Sequence, residues 1–97
     1  MQIQHQEDGH KGKFYIEEKE KILGELVYTI RSADNIVIEH TEVDPSLEGK
    51  GVGKQLVEAV VSYARANNIK IVPVCSFAKT QFKRVREWQD VLVNRTS

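Results

Sequence analysis

The chain has 97 residues, of which 40% are hydrophobic and 29% charged, a composition typical of one small globular domain. Fourteen Lys and Arg balance fourteen Asp and Glu, which argues against nucleic-acid binding because that binding needs a surplus of positive charge. No apolar run approaches the roughly 18 residues of a membrane span, and the polar N-terminus does not resemble a signal peptide. The single cysteine, Cys75, cannot form an intramolecular disulfide, and we therefore expect a cytoplasmic protein. We also expect a monomer or a weak homodimer.

The first half of the chain predicts an antiparallel sheet. Residues 1–12 are almost entirely polar, and we expect them to form a flexible lead-in to a domain that spans residues 13–97. Leu26, Tyr28 and Ile30 alternate with their neighbours, and this period of two indicates a strand that is covered on one face. Three successive strands are therefore expected, at residues 13–18, 22–31 and 36–43.

The second half predicts two helices around one more strand. Apolar residues recur at helical spacing between Gly51 and Ala64, and a short β-rich run follows at residues 70–74. Ser76 is the expected N-cap of a second helix that ends near Arg84. Because a crossover helix joins them, the strands before and after it should run parallel. The predicted fold class is α/β (α+β), in the order three antiparallel strands, helix, parallel strand, helix.

A glycine-rich segment, EGKGVGK at residues 48–54, separates the third strand from the first helix. Its free N–H groups, the positive end of the helix dipole and its lysines suit a phosphate or pyrophosphate. It does not match a nucleoside-triphosphate P-loop, because Glu48 and Gln55 replace a glycine and a Ser or Thr. Lys54 likewise replaces the last glycine of the dinucleotide fingerprint. On the motif alone, a tight turn without a ligand is an equal alternative.

This loop and its flanks resemble the GNAT acetyltransferase superfamily. Residues 43–56 resemble its acetyl-CoA pyrophosphate loop, while HTEV at 40–43 and VPVCSF at 72–77 resemble a subfamily of small, single-domain GNAT-like proteins. The three blocks occur in the family order and cover residues 40–88. Glu48 departs from the pattern, since the superfamily usually carries Gln or Arg there, and this departure predicts weaker pyrophosphate binding rather than loss of the site.

The resemblance implies acetyl-CoA (coenzyme A) as cofactor and an amine, not identified by the sequence, as acceptor. It implies that the pyrophosphate binds residues 49–54 and that strand N–H groups at residues 41–43 meet the thioester carbonyl. Pro73, which lacks an N–H, agrees with an opening between the two central strands for the pantetheine arm, or simply with an edge strand. A basic side chain such as Lys83 could meet the 3′-phosphate. The expected cofactor-binding residues are Thr41, Val43, Gly49, Lys50, Gly51, Val52, Gly53, Lys54, Cys75, Ser76 and Lys83.

Cys75 has two interpretations, which the sequence leaves open. It directly precedes the second helix, and a helix N-terminus favours the thiolate form of a cysteine, which suits a nucleophile. A free cysteine is also often a small buried hydrophobe with no chemical role. The resemblance adds that small GNAT-like proteins carry a cysteine here, beside the expected thioester.

His40 and Glu42 complete the set of catalytic candidates with Cys75. If the third strand alternates regularly, His40 shares a face with Ile36 and Ile38. It is then either a hydrogen-bonded structural residue or, as the resemblance implies, a group near the thioester that accepts a proton from the amine or pairs with Cys75. Glu42 and Glu39 are alternative bases.

Three functions fit the sequence. The first, which we expect, is an N-acetyltransferase that uses acetyl-CoA, either by direct transfer or through an acetyl-Cys75 intermediate. The second is a non-catalytic acyl-CoA-binding module, favoured because the subfamily lacks the C-terminal strands that form the acceptor pocket of larger GNAT enzymes. The third is an interaction domain with a vacant loop, favoured by Glu48. No metal site is expected, since His5 and His10 have no ligand spacing with His40.

Overall fold

The computed structural model describes residues 2–93, which form a five-stranded sheet with two α-helices packed on one of its faces. The strands are β1 (Gln4–Glu7), β2 (Lys11–Glu18), β3 (Lys21–Ser32), β4 (Asn35–Val43) and β5 (Lys70–Pro73). They lie in the sheet in this same order. The first four are antiparallel to their neighbours, whereas β5 runs parallel to β4, which confirms the arrangement predicted from the crossover helix.

Strand β1 differs from the predicted flexible lead-in over residues 1–12. Its four residues are all exposed, so it carries no apolar pattern, and backbone pairing with β2 holds it in the sheet. Two side chains add to that pairing: His5 stacks on Phe14 with 4.0 Å between ring centroids, and Glu7 accepts a hydrogen bond from the Tyr28 hydroxyl at 2.6 Å. The outer ends of the two predicted segments, Met1 and residues 94–97, lie outside the described residues.

One face of the sheet carries the hydrophobic core. Alternate residues of the strands point to it, as the period of two predicts, and they are buried: Phe14, Ile16, Leu26, Tyr28, Ile36, Ile38 and Ile71. No described helix covers the opposite face, on which the residues of β2, β3 and β4 are exposed or partly exposed. Within residues 2–93, the sheet is thus covered on one side only.

The two helices follow the predicted positions. Helix α1 (Val52–Ala66) ends at Asn67, with Asn68 in a left-handed conformation, and helix α2 is Ser76–Arg84. The N-cap of α2 is Cys75 rather than the predicted Ser76, because the Cys75 sulfur accepts the Ala78 N–H at 3.4 Å. No helix among residues 2–93 has the length and hydropathy that crossing a bilayer requires.

The chain after α2 folds back onto the domain, as its apolar residues predict. A 3-10 helix (Arg86–Val91) buries Trp88 and Val91, and the ring of Trp88 meets that of Phe82 edge to face. The Val93 N–H then donates to the Ile71 carbonyl at 3.0 Å, beside β5. This segment closes the edge of the core next to α2.

Candidate functional site

The segment between β4 and α1 presents unpaired backbone N–H groups. After a 3-10 helix (Pro45–Leu47), Gly49 and Gly51 have φ angles of +82° and +73°, which side chains rarely adopt. Gly51 is the N-cap of α1 and has no side chain to satisfy the first turn, whose first hydrogen bond runs from the Gln55 N–H to the Gly51 carbonyl. The N–H groups before Gln55 and the positive end of the helix dipole are therefore available to an anion.

The third glycine of the loop is required by packing. A Cβ atom at Gly53 would lie 2.6 Å from Cζ of Phe77, far closer than two carbon atoms can approach. The Phe77 ring therefore lies against the first turn of α1, although 38% of the residue is exposed. This contact brings the beginning of α2 beside the glycine loop.

The two parallel strands separate at Pro73. Their ladder ends where Ile38 pairs with Pro73, and the N–H groups of Val74 and Cys75 both turn to the Ile38 carbonyl, at 3.0 and 3.3 Å. Beyond this point β4 continues to Val43, whereas the chain after β5 enters α2. An opening therefore lies between residues 39–43 and the N-terminus of α2. It is the opening between the two central strands with which Pro73 agreed in the sequence.

The edge of β4 along this opening carries unpaired backbone groups. The Asp44 N–H donates to the Leu23 carbonyl across β3 and β4 at 2.8 Å, and alternate residues of an antiparallel strand turn toward the same neighbour. Thr41 and Val43 must therefore turn their N–H and C=O groups away from β3. Because the pairing of β5 stops at Pro73, these groups face the opening.

A groove of about 520 Å³ connects the opening to the glycine loop. Its walls are the end of β4, the first turn of α1 and one side of α2. Of the predicted cofactor-binding residues, it is lined by Thr41, Val43, Gly49, Gly51, Val52, Gly53 and Lys54. Its other lining residues are Leu47, Glu48, Phe77, Gln81, Arg84 and Val85. The remaining predicted residues, Lys50, Cys75, Ser76 and Lys83, are not among those that line it.

The wall supplied by α2 is the part of the groove that sequence reasoning missed. Phe77, Gln81 and Arg84 are spaced by four and three residues, so they share one side of the helix. This spacing was visible in the sequence, but the side of α2 that would face the loop was not. Lys83, the basic residue chosen from this helix, is exposed and next to Arg84, which lines the groove.

Charge in the groove is mixed. Lys54 and Arg84 contribute positive charge and Glu48 negative charge, and none of the three forms an ion pair within residues 2–93. No cluster of potential metal ligands occurs among the described residues either. The two cations and the free N–H groups fit a polyphosphate ligand, which Glu48 opposes.

Cys75 lies at the β4 side of the opening. Its sulfur is 3.5 Å from the Thr41 hydroxyl and also accepts the Ala78 N–H, so the thiol bridges β4 and the first turn of α2. The residue is partly buried against the core. It therefore stands beside Thr41, whose backbone groups face the opening.

A β-bulge reverses the expected orientation of His40. The β3–β4 register pairs Val27 with His40 but Tyr28 with Ile38, so Glu39 is an extra residue. As a result, His40 does not share the face of Ile38 and points to the uncovered side of the sheet. There its Nε2 is 3.3 Å from Oε1 of Glu42, and both side chains are well exposed. The predicted face was wrong for this residue, and His40 pairs with Glu42 rather than with Cys75.

The comparison with known families agrees with this geometry. Residues 13–91 match the family model described as GCN5-related N-acetyl-transferase. Because this match covers most of the chain, the protein belongs to the GCN5-related N-acetyltransferase family, whose members bind acetyl-CoA. No curated protein sequence matches the chain significantly.

Solved structures share the fold. A GCN5-like protein of Staphylococcus aureus with a proposed N-acetyltransferase activity is 41% identical, with 95% of this chain and 87% of that chain covered and a TM-score of 0.75. The aminoglycoside N-acetyltransferase AAC(6′)-Iy in complex with CoA is 19% identical, with 79% and 67% covered and a TM-score of 0.61. The ribosomal-protein-S18-alanine N-acetyltransferase of Escherichia coli is 13% identical, with 80% and 53% covered and a TM-score of 0.65. The chain thus spans about half to two thirds of the larger enzymes.

Proposed function

We propose that this protein transfers the acetyl group of acetyl-CoA to a primary amine and that the groove between β4, α1 and α2 holds the cofactor. The observation that carries the proposal is that one groove joins two sets of free N–H groups, those of Thr41 and Val43 in the opening and those of the first turn of α1. An extended ligand with a carbonyl group at one end and phosphates further along matches this order of donors. Bound acetyl-CoA supplies an acetyl thioester, which an amine can attack.

Each part of the groove has one task in this proposal. The N–H groups of Gly51 and of the first turn of α1, together with the Lys54 side chain, bind the pyrophosphate through the helix dipole and charge. The N–H groups of Thr41 and Val43 donate to the thioester carbonyl, and this polarises it for attack. Phe77 supplies an apolar wall and keeps water from that side of the groove.

In this proposal, the proton that the amine loses is accepted on the uncovered face of the sheet. As the amine nitrogen bonds to the acetyl carbon, the carbon–sulfur bond breaks, the nitrogen loses a proton and the departing sulfur gains one. His40 and Glu42 flank Thr41 along β4 and are paired at 3.3 Å, and His40 takes the proton directly or through one water molecule. Cys75 positions Thr41 through its 3.5 Å contact and is not required as a nucleophile.

Two measurements test the proposal. Binding of CoA at a hundred times its dissociation constant should raise the free energy of unfolding by about 2.7 kcal/mol, with much smaller effects of ATP and NAD. Gly51→Asp places a carboxylate against the phosphates and should abolish the effect of CoA in a protein that still folds. Release of free CoA from acetyl-CoA, followed across a panel of amines, then tests transfer.

The acyl-CoA-binding module remains the second candidate because the chain spans about half to two thirds of the larger acetyltransferases. Stabilisation by CoA without turnover of any amine would support it. An unchanged CoA response in folded Gly51→Asp would falsify the placement of the cofactor. No response to CoA in the unmodified protein would contradict both functions.

A further inference from the structure

Gln81 is a buried polar residue that the fold itself does not use. It is 8% exposed and is the only buried polar or charged residue in the described part of the chain. Its side-chain amide makes no hydrogen bond to any of residues 2–93, although its backbone carbonyl accepts the Val85 N–H within the C-cap of α2. A buried amide without a partner destabilises a protein, so this position calls for an explanation other than folding.

The amide of Gln81 opens onto the cofactor groove. No side-chain nitrogen or oxygen of the described residues is both fully enclosed and without a partner, so the Gln81 amide must reach a surface. The surface it contributes to is the groove, which Gln81 lines between Phe77 and Arg84. An unsatisfied donor and acceptor are therefore presented to whatever fills this space.

The order of side chains along α2 indicates which part of the ligand Gln81 meets. Phe77 lies one turn before it and Arg84 about one turn after it, so the helix presents an apolar ring, an amide and a cation in succession. At about 1.5 Å per residue, Gln81 is roughly 9 Å along the axis from Cys75, which borders the opening at Thr41. It is thus displaced from the acetyl end toward the cation.

Resting on the proposed placement of acetyl-CoA, we infer that Gln81 binds an amide group of the pantetheine arm. An amide side chain can both donate to and accept from another amide, whereas a phosphate only accepts. Both hydrogen-bonding functions of Gln81 are satisfied only by the first kind of group. Arg84, the next lining residue, meets the phosphates instead.

The test compares two ligands and two glutamines. Gln81→Leu keeps the approximate size of the side chain and removes both hydrogen-bonding functions, while Gln6→Leu makes the same change on exposed β1, away from the groove. Dissociation constants are measured by calorimetry for CoA and for 3′-phospho-ADP, which lacks the pantetheine arm. The melting temperature of each ligand-free protein is recorded alongside.

Gln81→Leu should weaken CoA binding roughly 3- to 10-fold, leave 3′-phospho-ADP within a factor of two and keep or raise the melting temperature of the free protein. Gln6→Leu should change neither affinity, and Arg84→Gln should weaken the binding of both ligands.

Equally weakened binding of the two ligands by Gln81→Leu would place Gln81 at the phosphates and overturn the inference. A lower melting temperature with unchanged CoA affinity would overturn it as well, by making Gln81 a structural residue. Absence of CoA binding in the unmodified protein would instead remove the proposed function on which the inference rests.

Discussion

The thiol of Cys75 has two polar neighbours, and these decide what its substitution should do. It accepts the Ala78 N–H at 3.4 Å and lies 3.5 Å from the Thr41 hydroxyl. Both contacts are structural: one caps α2 and the other fixes the edge of β4 that borders the opening. A serine at position 75 can keep both, whereas an alanine can keep neither.

Cys75→Ser should therefore retain most of the acetyl transfer, and incubation of the unmodified protein with acetyl-CoA should leave its intact mass unchanged. Cys75→Ala should lose about 0.5–1 kcal/mol of stability, as expected for a lost N-cap. Mass spectrometry, urea denaturation and the release of CoA measure the three quantities. Acetylated Cys75, together with loss of transfer in both variants, would instead establish a covalent route.

Glu48 is the acidic residue that lines the groove beside the glycine loop. Glu48→Arg should tighten CoA binding, because it replaces repulsion of the phosphates by attraction, each worth about 0.3–1 kcal/mol at low salt. The gain should shrink as salt is added. Glu58→Arg makes the same change of charge on the exposed side of α1 and controls for net charge. Weaker binding by Glu48→Arg alone would show that Glu48 has a positive role at the site.

Two features, one in each strand, separate β4 from β5 and form the opening. Pro73 cannot donate a ladder hydrogen bond from β5, and the bulge at Glu39 adds a residue to β4 at the same level. The bulge also interrupts the regular alternation of β4, and removal of Glu39 would restore it without turning its neighbours to the other face. If Glu39 is removed, Ile38 and Thr41 still point to the core side and His40 still points to the uncovered side.

Deletion of Glu39 should consequently give a folded protein in which the β3–β4 ladder is regular around Ile38 and His40. We expect its stability to be equal or higher, because a ladder without a bulge leaves no residue unpaired. Its affinity for CoA and its transfer rate should fall, since β4 would run straighter beside β5 and narrow the opening. Circular dichroism and calorimetry separate the two effects. Unchanged CoA affinity in the folded deletion variant would show that Pro73 alone is sufficient for the opening.

Most elements of the fold could be predicted because their hydrophobic patterns are strong. The prediction was wrong for β1, which has no such pattern, and for the bulge in β4, whose sign in the sequence was overlooked. β1 contains no apolar residue, so no period of two could reveal it. The bulge did leave a sign: Ile36 and Ile38 occupy even positions, but Val43 on the same strand is odd, and only an extra residue lets all three face the core side. The groove-lining glycines were predictable from the loop motif. Gln81 was not, because its role depends on which side of α2 faces α1.

At the scale of the whole molecule, β1 connects the polar edge of the sheet to the core. His5 lies against Phe14 and its Nε2 is 2.6 Å from the Tyr28 hydroxyl, which in turn donates to Glu7. Burial holds the pKa of Tyr28 well above its usual value, and the hydrogen bond to Glu7 adds to this. Gly12 leaves the space for the hydroxyl, since a Cβ atom there would lie 2.5 Å from it. The folded state thus contains a compact network of ionisable side chains around β1.

This network should make stability depend on pH. Burial lowers the pKa of His5 below 6.5, although Glu7 partly opposes the shift, so the unfolded chain binds a proton more readily than the folded one. The contribution of neutral His5 is present above about pH 6.5 and is lost as the pH falls from that value through the lower pKa of His5 in the folded protein. The hydrogen bond with Arg65 lowers the pKa of Asp90, so the contribution of ionised Asp90 to stability is lost only at a pH below its usual pKa of 3.8.

The free energy of unfolding should therefore decrease as the pH is lowered through the range near 6, well before the aspartates titrate. His5→Phe, which keeps an aromatic ring on Phe14, should remove this dependence, whereas His10→Gln on the exposed turn should keep it. Urea denaturation over a series of pH values measures the slope. A His5→Phe protein with the slope of the unmodified protein would contradict the assignment.

The uncovered side of the sheet has a consequence for the size of the acceptor. The two helices and the groove lie on one side of the sheet, and His40 and Glu42 lie on the other. The opening between β4 and β5 connects the two sides. In the proposed function, acetyl-CoA and the amine would therefore enter from opposite directions without competing for space. Since no described element roofs the acceptor's side, we expect an amine on a bulky carrier, such as a lysine of a folded protein, to react as readily as a small free amine.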